Sequence, residues 1–335
     1  MSAATSGESI ANPRIVITGV RPSTPTLQPK GSAYSLDWLQ YSVPWPKNLV
    51  AWPSDVPTEM VVLKSALPRH EAIQPTGEPI NPLRNYAGGH QFTFGRVYWH
   101  PKRPAQKINV VLSGDDLNGA RARGVLDENL IKYALDVGSN IPRLDFALDV
   151  FIDGAHPLHM YAAWKAGDVE TTATKVSPWT SGTKDREGKV TETSTVYFGA
   201  ETSDRRVRIY DKAAERGVAG PWVRIELVTR DERAVALAKT MRSHGIEQAG
   251  RSAISEFMRN DTVDWWIAAL TGPVVPLEPI ERKITNTERW LMMQVAPVLE
   301  RIITAQSERN EYGIHDLFQS VLDRNLRVKN AQPKK

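Results

Sequence analysis

Three short segments alternate between polar and apolar residues, and this pattern constrains the fold more than any other feature of the sequence. They span residues 143–151, 206–212 and 222–230. Side chains at alternate positions of a strand lie on one face, so each segment predicts a strand with an apolar face and a polar face. If the strands share a sheet, one surface packs on a core and the other gathers acids, arginines, a lysine and a tyrosine.

The polar positions of these strands provide the groups needed for metal-assisted attack on a phosphodiester. Carboxylates bind a hard cation through oxygen, Arg and Lys stabilise phosphate charge, and a tyrosine hydroxyl can attack and remain covalently attached. The candidates are Arg143, Asp145, Asp149, Arg206, Arg208, Tyr210, Lys212, Arg224 and Glu226.

Strand geometry limits how the acids can share one ion. Asp145 and Asp149 are four residues apart, or ~13 Å along a strand at ~3.3 Å per residue. We therefore favour Asp145 with Glu226 as ligands and treat Asp149 as a supporting or alternative residue. The competing interpretation is structural, because the same acids can pair with neighbouring arginines across a solvated sheet face.

Composition excludes several kinds of chemistry. The chain has 335 residues and no cysteine, so disulfides, zinc-thiolate sites and thiol catalysis are ruled out. No apolar run approaches the ~20 residues of a membrane helix, and a cytoplasmic location without a membrane partner is expected. The net charge of +4 permits a nucleic-acid partner.

The sequence contains no His-hydrophobic-His triplet, no HExxH motif and no GxxxxGK[ST] loop. His156 and His159 have the wrong spacing to lie on one face of a strand.

The predicted organisation is a flexible leader (1–33), a main domain (34–270), a proline-rich linker (271–280) and a helical C-terminal region with a basic tail (281–335).

The predicted strands occur in runs with helices between the runs, rather than in strict alternation with helices. This order favours an α+β fold with a largely antiparallel sheet and flanking helices. Strands are predicted at 33–39, 91–99, 107–112, 143–152, 191–198, 205–212 and 222–229, and helices at 127–135, 157–165 and 231–243. Gly88 and Gly89 are predicted to form a turn, and a capping box at Thr285–Glu288 is predicted to begin a C-terminal helix.

Three sequence blocks carry a more specific signal than alternation alone. Residues 195–215 read TVYFGAETSDRRVRIYDKAAE, residues 222–227 read WVRIEL, and residues 143–149 read RLDFALD. Together they resemble the Rep_trans family of replication initiation factors. Weaker similarities lie at Leu36–Leu39 and Val110–Gly114, where the loop after Gly114 departs from the family pattern. The resemblance covers about residues 33–245.

The resemblance implies a rolling-circle replication initiator that nicks one strand at an origin through a 5′-phosphotyrosine and later religates it, with Mg²⁺ or Mn²⁺. The family's tyrosine falls on Tyr210 with Lys212 beside it, its acids fall on Asp145, Asp149 and Glu226, and Arg208 becomes a phosphate contact. The DNA-binding residues are then expected to be Arg143, Arg206, Arg208 and Arg224. The expected partners are supercoiled, single-stranded or hairpin origin DNA and a host helicase, and a homodimer is compatible with this function.

Two alternatives remain open at this point. A relaxase for conjugative transfer would use the same chemistry. A non-catalytic origin-binding protein or repressor could use the same scaffold, although the presence of Tyr210 and of both acidic blocks argues against it. Trp38, Tyr98 and Trp99 are candidate platforms for stacking on single-stranded bases.

Overall fold

A computed structural model describes residues 31–45, 75–83, 85–93, 95–100, 107–137, 140–184, 188 and 190–280, together with the isolated positions 291, 295, 298 and 301. Most of the leader, most of residues 44–82, and the capping box of the C-terminal region lie outside these ranges. The domain boundaries predicted from the sequence remain predictions.

Twelve strands and seven helices occur in the described ranges. The strands are β1 (Gly31–Val43), β2 (Pro75–Pro79), β3 (Gly88–Phe92), β4 (Arg96–Trp99), β5 (Ile108–Ser113), β6 (Asn140–Phe151), β7 (Val169–Thr171), β8 (Val176–Lys184), β9 (Val190–Phe198), β10 (Arg205–Asp211), β11 (Val223–Arg230) and β12 (Met258–Asn260). The helices are α1 (Gly114–Arg121), α2 (Asp127–Val137), α3 (Pro157–Ala166), α4 (Lys212–Arg216), α5 (Asp231–His244), α6 (Ile246–Phe257) and α7 (Asp264–Leu270). None of these helices is long and apolar enough to cross a membrane.

Backbone contacts divide the chain into two compact units. The first contains residues 1–37, 145–228 and 253–273, and the second contains residues 38–144, 229–252 and 274–335. Within the first unit the strands lie in the order β6-β11-β10-β9-β8, and β7 pairs with β12 in a small separate sheet. Within the second unit the order is β2-β3-β4-β5-β1-β6, to which β1 contributes residues 38–43 and β6 residues 140–144. The strand pairs whose register is described are all antiparallel, which confirms the predicted α+β class.

The predicted strand at 91–99 is wrong, because that segment forms a hairpin of β3 and β4. Its turn contains Gly95 at φ 106, and the Phe92 amide donates to the Gly95 carbonyl. Gly88 and Gly89 lie in β3 rather than in a turn. A side chain at Gly88 would lie 2.7 Å from the Trp99 ring, so glycine here makes room for an aromatic ring across the hairpin.

The apolar faces of the three alternating segments form core, as predicted. Leu144, Phe146, Leu148 and Val150 of β6, Val207 and Ile209 of β10, and Val223, Ile225 and Leu227 of β11 are all buried. The hairpin of β9 and β10 is also confirmed, with Tyr210 opposite Thr195 and Arg208 opposite Tyr197. The strand ends one residue earlier than predicted, because Asp211 caps α4 and Lys212 is the first helical residue.

Gly199 is required where β9 leaves the sheet. Its φ is 103, and a Cβ there would lie 3.1 Å from the Arg205 carbonyl oxygen. Gly154 also has a positive φ, of 77, but a Cβ at this position would meet no other atom within 4 Å. Substitutions at the two glycines can therefore distinguish the energetic cost of backbone strain from that of a steric clash.

We predict that Gly154→Ala lowers the free energy of unfolding by about 1 kcal/mol, from backbone strain alone. Gly199→Ala should cost about 2 kcal/mol or more, because a clash with the β10 backbone adds to that strain. Denaturant unfolding of both variants measures the difference. Equal losses would show that the turn before β10 relaxes to accept a methyl group.

Candidate functional site

The polar face of β6 and β11 is largely buried, unlike the solvated face considered as an alternative above. Asp145, Asp149, Arg224 and Glu226 are all buried, and Tyr210 is 6% exposed. Charged groups at this depth require partners, because an isolated buried charge is strongly disfavoured. The contacts among these side chains therefore determine what each can do.

Arg224 is held by two aspartates from different strands. Its Nε donates to Asp149 Oδ1 at 2.7 Å and its Nη2 to Asp149 Oδ2 at 2.8 Å, while its Nη1 donates to Asp37 Oδ1 at 2.7 Å. Trp222 Nε1 adds a further hydrogen bond to Asp149 Oδ1 at 2.7 Å. The edge of the Arg224 guanidinium that could bind a phosphate in a bidentate way already binds Asp149. We assign Arg224 to this internal network.

Glu226 meets Arg208 in a direct ion pair between β11 and β10. Glu226 is 3% exposed. Burial raises the pKa of its carboxyl group, Arg208 opposes that rise, and the negative charge of Asp37 adds to it. Arg208 is about one-third exposed, so its outer edge remains accessible to solvent while its inner edge neutralises the glutamate.

Tyr210 is fixed between cationic side chains at the end of β10. Lys212 Nζ donates to Tyr210 Oη at 3.3 Å, and the Arg208 guanidinium lies 4.4 Å from the centre of the phenol ring. Lys212 is itself buried and forms an ion pair with Glu215 on α4. Burial raises the pKa of the Tyr210 hydroxyl well above its ordinary value, the charge of Glu226 adds to this, and Arg224 and Arg208 oppose it.

The remaining arginines predicted to bind DNA lie on aromatic rings. The Arg206 guanidinium is 4.0 Å from the centre of the Tyr197 ring, and Arg143 is 4.4 Å from that of Trp38. Such contacts hold a guanidinium flat against the ring. Arg143 and Trp38 belong to the second unit, whereas Arg206 shares the first unit with Tyr210.

The three predicted metal ligands do not form one cluster. In the part of the chain that the structure describes, no three His, Asp or Glu side chains are grouped so as to hold a metal ion. Both oxygens of Asp149 are bound to Arg224. Asp145 and Glu226 are buried carboxylates on the neighbouring strands β6 and β11, and Glu226 already pairs with Arg208. Mg²⁺ in phosphoryl-transfer sites commonly takes one or two carboxylates together with substrate phosphate, so this pair fits the chemistry of the ion.

Asp37 is a site residue that the alternation of the three segments did not reveal. It lies on β1, more than a hundred residues from the other members of the network. The available signal was an acid between Leu36 and Leu39, two residues that the fold buries completely. His156 caps α3, since its Nδ1 accepts from the Leu158 amide at 3.3 Å, and His159 lies in the first turn of that helix.

Comparison with solved structures identifies the class of fold. The chain is similar to a rolling circle replication initiator protein from Geobacillus stearothermophilus, with a TM-score of 0.52 and 22% identity over 72% of this chain and 96% of that chain. No curated protein matches the sequence. The model of the replication initiation factor family, Rep_trans, matches residues 139–318, which is more than half of the chain. The protein belongs to this family.

We predict that Asp149→Ala lowers the free energy of unfolding by about 3–5 kcal/mol, because it leaves the buried Arg224 charge undercompensated. Asp136→Ala is the matched control. Asp136 pairs with Arg242 at 3.3 Å, and both side chains are about half exposed. Its loss should therefore cost less than about 1 kcal/mol. Equal effects in urea unfolding would mean that the Arg224 charge is solvated rather than held by Asp149.

Proposed function

We propose that this replication initiation factor starts rolling-circle replication by nicking one DNA strand at an origin, with Tyr210 as the nucleophile. The observation that carries the proposal is the environment of the Tyr210 hydroxyl. The hydroxyl oxygen lies 3.3 Å from Lys212 Nζ, and the strand that carries Tyr210 also carries Arg208. A phenol packed only for its ring would have no need of a buried lysine at its oxygen.

In the proposed reaction, the Tyr210 oxygen forms a bond to the scissile phosphorus and the bond from phosphorus to the 3′ oxygen breaks. The phenol loses its proton, and the departing 3′ oxygen gains one. The product is a 5′-phosphotyrosine that keeps the energy of the broken diester, so attack by a 3′ hydroxyl can later reseal the strand. The numbers of phosphoester bonds formed and broken are equal in each direction.

The side chains around Tyr210 have separable roles in this scheme. The Lys212 ammonium stabilises negative charge as it develops on the phenol oxygen. The Arg208 guanidinium lies over the Tyr210 ring and pairs with Glu226, and its exposed edge can bind a phosphate oxygen. Arg206, held on Tyr197, is the second phosphate contact that we propose. Arg224, Asp149, Asp37 and Trp222 act as positioning residues that fix β11 beside the nucleophile.

Asp145 and Glu226 are the residues that we propose to hold a divalent cation. Mg²⁺ or Mn²⁺ bound there would supply Lewis-acid polarisation of the phosphoryl oxygen. Neutralising Glu226 would also remove a charge that raises the pKa of the Tyr210 hydroxyl. The glutamate charge disfavours the phenolate even in the ion pair with Arg208, and a cation bound to Glu226 would reduce that effect.

The proposed partners follow from the reaction. Origin DNA must present a single-stranded or hairpin segment, because the buried hydroxyl cannot enter a closed duplex. The sequence has no GxxxxGK[ST] loop for nucleoside triphosphate, so strand separation beyond the nick is assigned to a host helicase.

We predict that Tyr210→Phe abolishes nicking of a supercoiled plasmid carrying the protein's own replicon, with a loss of about 10³-fold or more. The covalent protein–DNA adduct should vanish from denaturing gels, while folding and DNA affinity remain because the ring is kept. Tyr197→Phe is the control and should retain the adduct. An adduct in the Tyr210→Phe protein would assign the nucleophile to another tyrosine. Binding without any adduct in the wild type would support an origin-binding protein or repressor.

A separate prediction concerns the metal. Chelation should abolish nicking, and Mg²⁺ or Mn²⁺ should restore it. Glu226→Gln, which keeps the side-chain shape and removes the charge, should lower nicking at saturating DNA by about tenfold or more and raise the metal concentration required. Asp136→Asn, at an exposed acid that pairs with Arg242 outside the buried network, should leave both unchanged. Full activity in the presence of a chelator would overturn the metal assignment.

A further inference from the structure

A row of three residues runs from Tyr210 to the outermost strand of the first unit. Tyr210 on β10 is opposite Thr195 on β9, and Thr195 is opposite Trp179 on β8. Residues directly opposite each other in antiparallel strands point to the same face. Because neighbouring strands are about 4.8 Å apart, the backbone of Trp179 lies about 10 Å from that of Tyr210.

Trp179 is unusually exposed for its size. Its relative exposure is 57%, whereas Trp265 and Trp266 are buried. Tyr98 and Trp99, which the sequence suggested as stacking platforms, are buried as well. Among the described residues, Trp179 therefore presents the tryptophan surface most open to a ligand on the face that carries Tyr210.

The surrounding face is suited to a polyanion. The residues that share it on β8 and β9, as far as their side chains are described, are Ser177, Trp179, Ser181, Thr193, Thr195 and Tyr197. This set contains no carboxylate. Ser181 and Thr193 hydrogen-bond to each other at 2.9 Å across the two strands. Arg206 and Arg208 add positive charge from β10, with Arg206 lying on the Tyr197 ring.

We propose that this face, defined by the β8 and β9 residues above, binds the single-stranded DNA that flanks the scissile phosphate, with a base stacked on Trp179. Base stacking on aromatic side chains beside a cationic track is the usual way in which proteins hold single strands. The inference rests on the proposed function, because Tyr210 locates the phosphate from which the strand extends. Trp179 is a positioning residue in this proposal and does not touch the reacting atoms.

A second copy of the chain is the competing occupant, because β8 is the last strand in the order of this unit. An edge strand can pair with another edge strand through its free backbone groups. Pro178 lies next to Trp179 in β8 and has no amide hydrogen, which is a feature of edges protected against such pairing. The strand is therefore less suited to a partner strand, while the tryptophan ring remains available to a base.

The test measures the affinity of the full-length protein for a short fluorescein-labelled oligo(dT) over a series of salt concentrations. Trp179→Ala should weaken binding about tenfold, which is typical for loss of one stacked base, and leave the slope of log affinity against log salt unchanged. Trp179→Phe keeps an aromatic ring and should retain most of the affinity. Leu126→Ala, at a residue that is 58% exposed in the second unit, should have no effect. Arg208→Ala should instead give a shallower salt slope, because a phosphate contact releases counterions.

Several outcomes would overturn the inference. Unchanged affinity of Trp179→Ala would do so, and so would an equal loss in Trp179→Phe. A change from dimer to monomer in sedimentation, without a change in monomer affinity, would assign the strand edge to self-association. The proposed function fails separately: if wild type binds oligo(dT) through Trp179 yet forms no adduct with any origin plasmid, the stacking site stands and the nicking chemistry does not. If the adduct forms at Tyr210 while Trp179→Ala binds normally, the nicking chemistry stands and the stacking site does not.

Discussion

The buried guanidinium of Arg224 is the interaction on which the candidate site depends most. It contacts Asp37 from β1 and Asp149 from β6 while lying on β11, so one side chain joins three segments that are far apart in the sequence. A charge this deep is stable only with its carboxylates in place, and they in turn need the arginine. Burial by itself would lower the pKa of Arg224, but the hydrogen bonds and charge of Asp149 raise it above its ordinary value. The network therefore remains charged and fixes the strand that carries Glu226.

The sequence predicted the strands of the first unit well, because their pattern is a local one. Alternation of apolar and polar residues in 143–151 and 222–230 reflects a core on one side of each strand, and that core is observed. The prediction failed where local pattern and tertiary contact disagree. Residues 91–99 look like one strand until Gly95 reverses the chain, and Gly88 is small because of Trp99 rather than because of a turn.

The candidate site was predictable in its membership but not in its pairing. The sequence placed Asp145, Asp149, Arg224 and Glu226 on one kind of surface, but which acid meets which arginine depends on strand order. The burial of that surface was also hidden, since a polar strand face usually indicates solvent. Asp37 and Trp179 were missed for a related reason, because their importance comes from neighbours on other strands. Lys212 was assigned to a strand and instead begins a helix, where Asp211 accepts from the Ala214 amide at 2.9 Å.

The junction between β10 and α4 has a consequence for how substrate and protein must move. Tyr210 is followed by a single residue before the helix begins, its ring lies under a guanidinium, and its oxygen contacts a buried ammonium. Its rotational freedom is lost when the chain folds, so ordering it adds no entropic cost when DNA arrives. The same rigidity means that the phenol cannot swing out to follow a departing strand. In the proposed reaction the DNA is the moving component, and each end to be joined must be brought to one stationary oxygen.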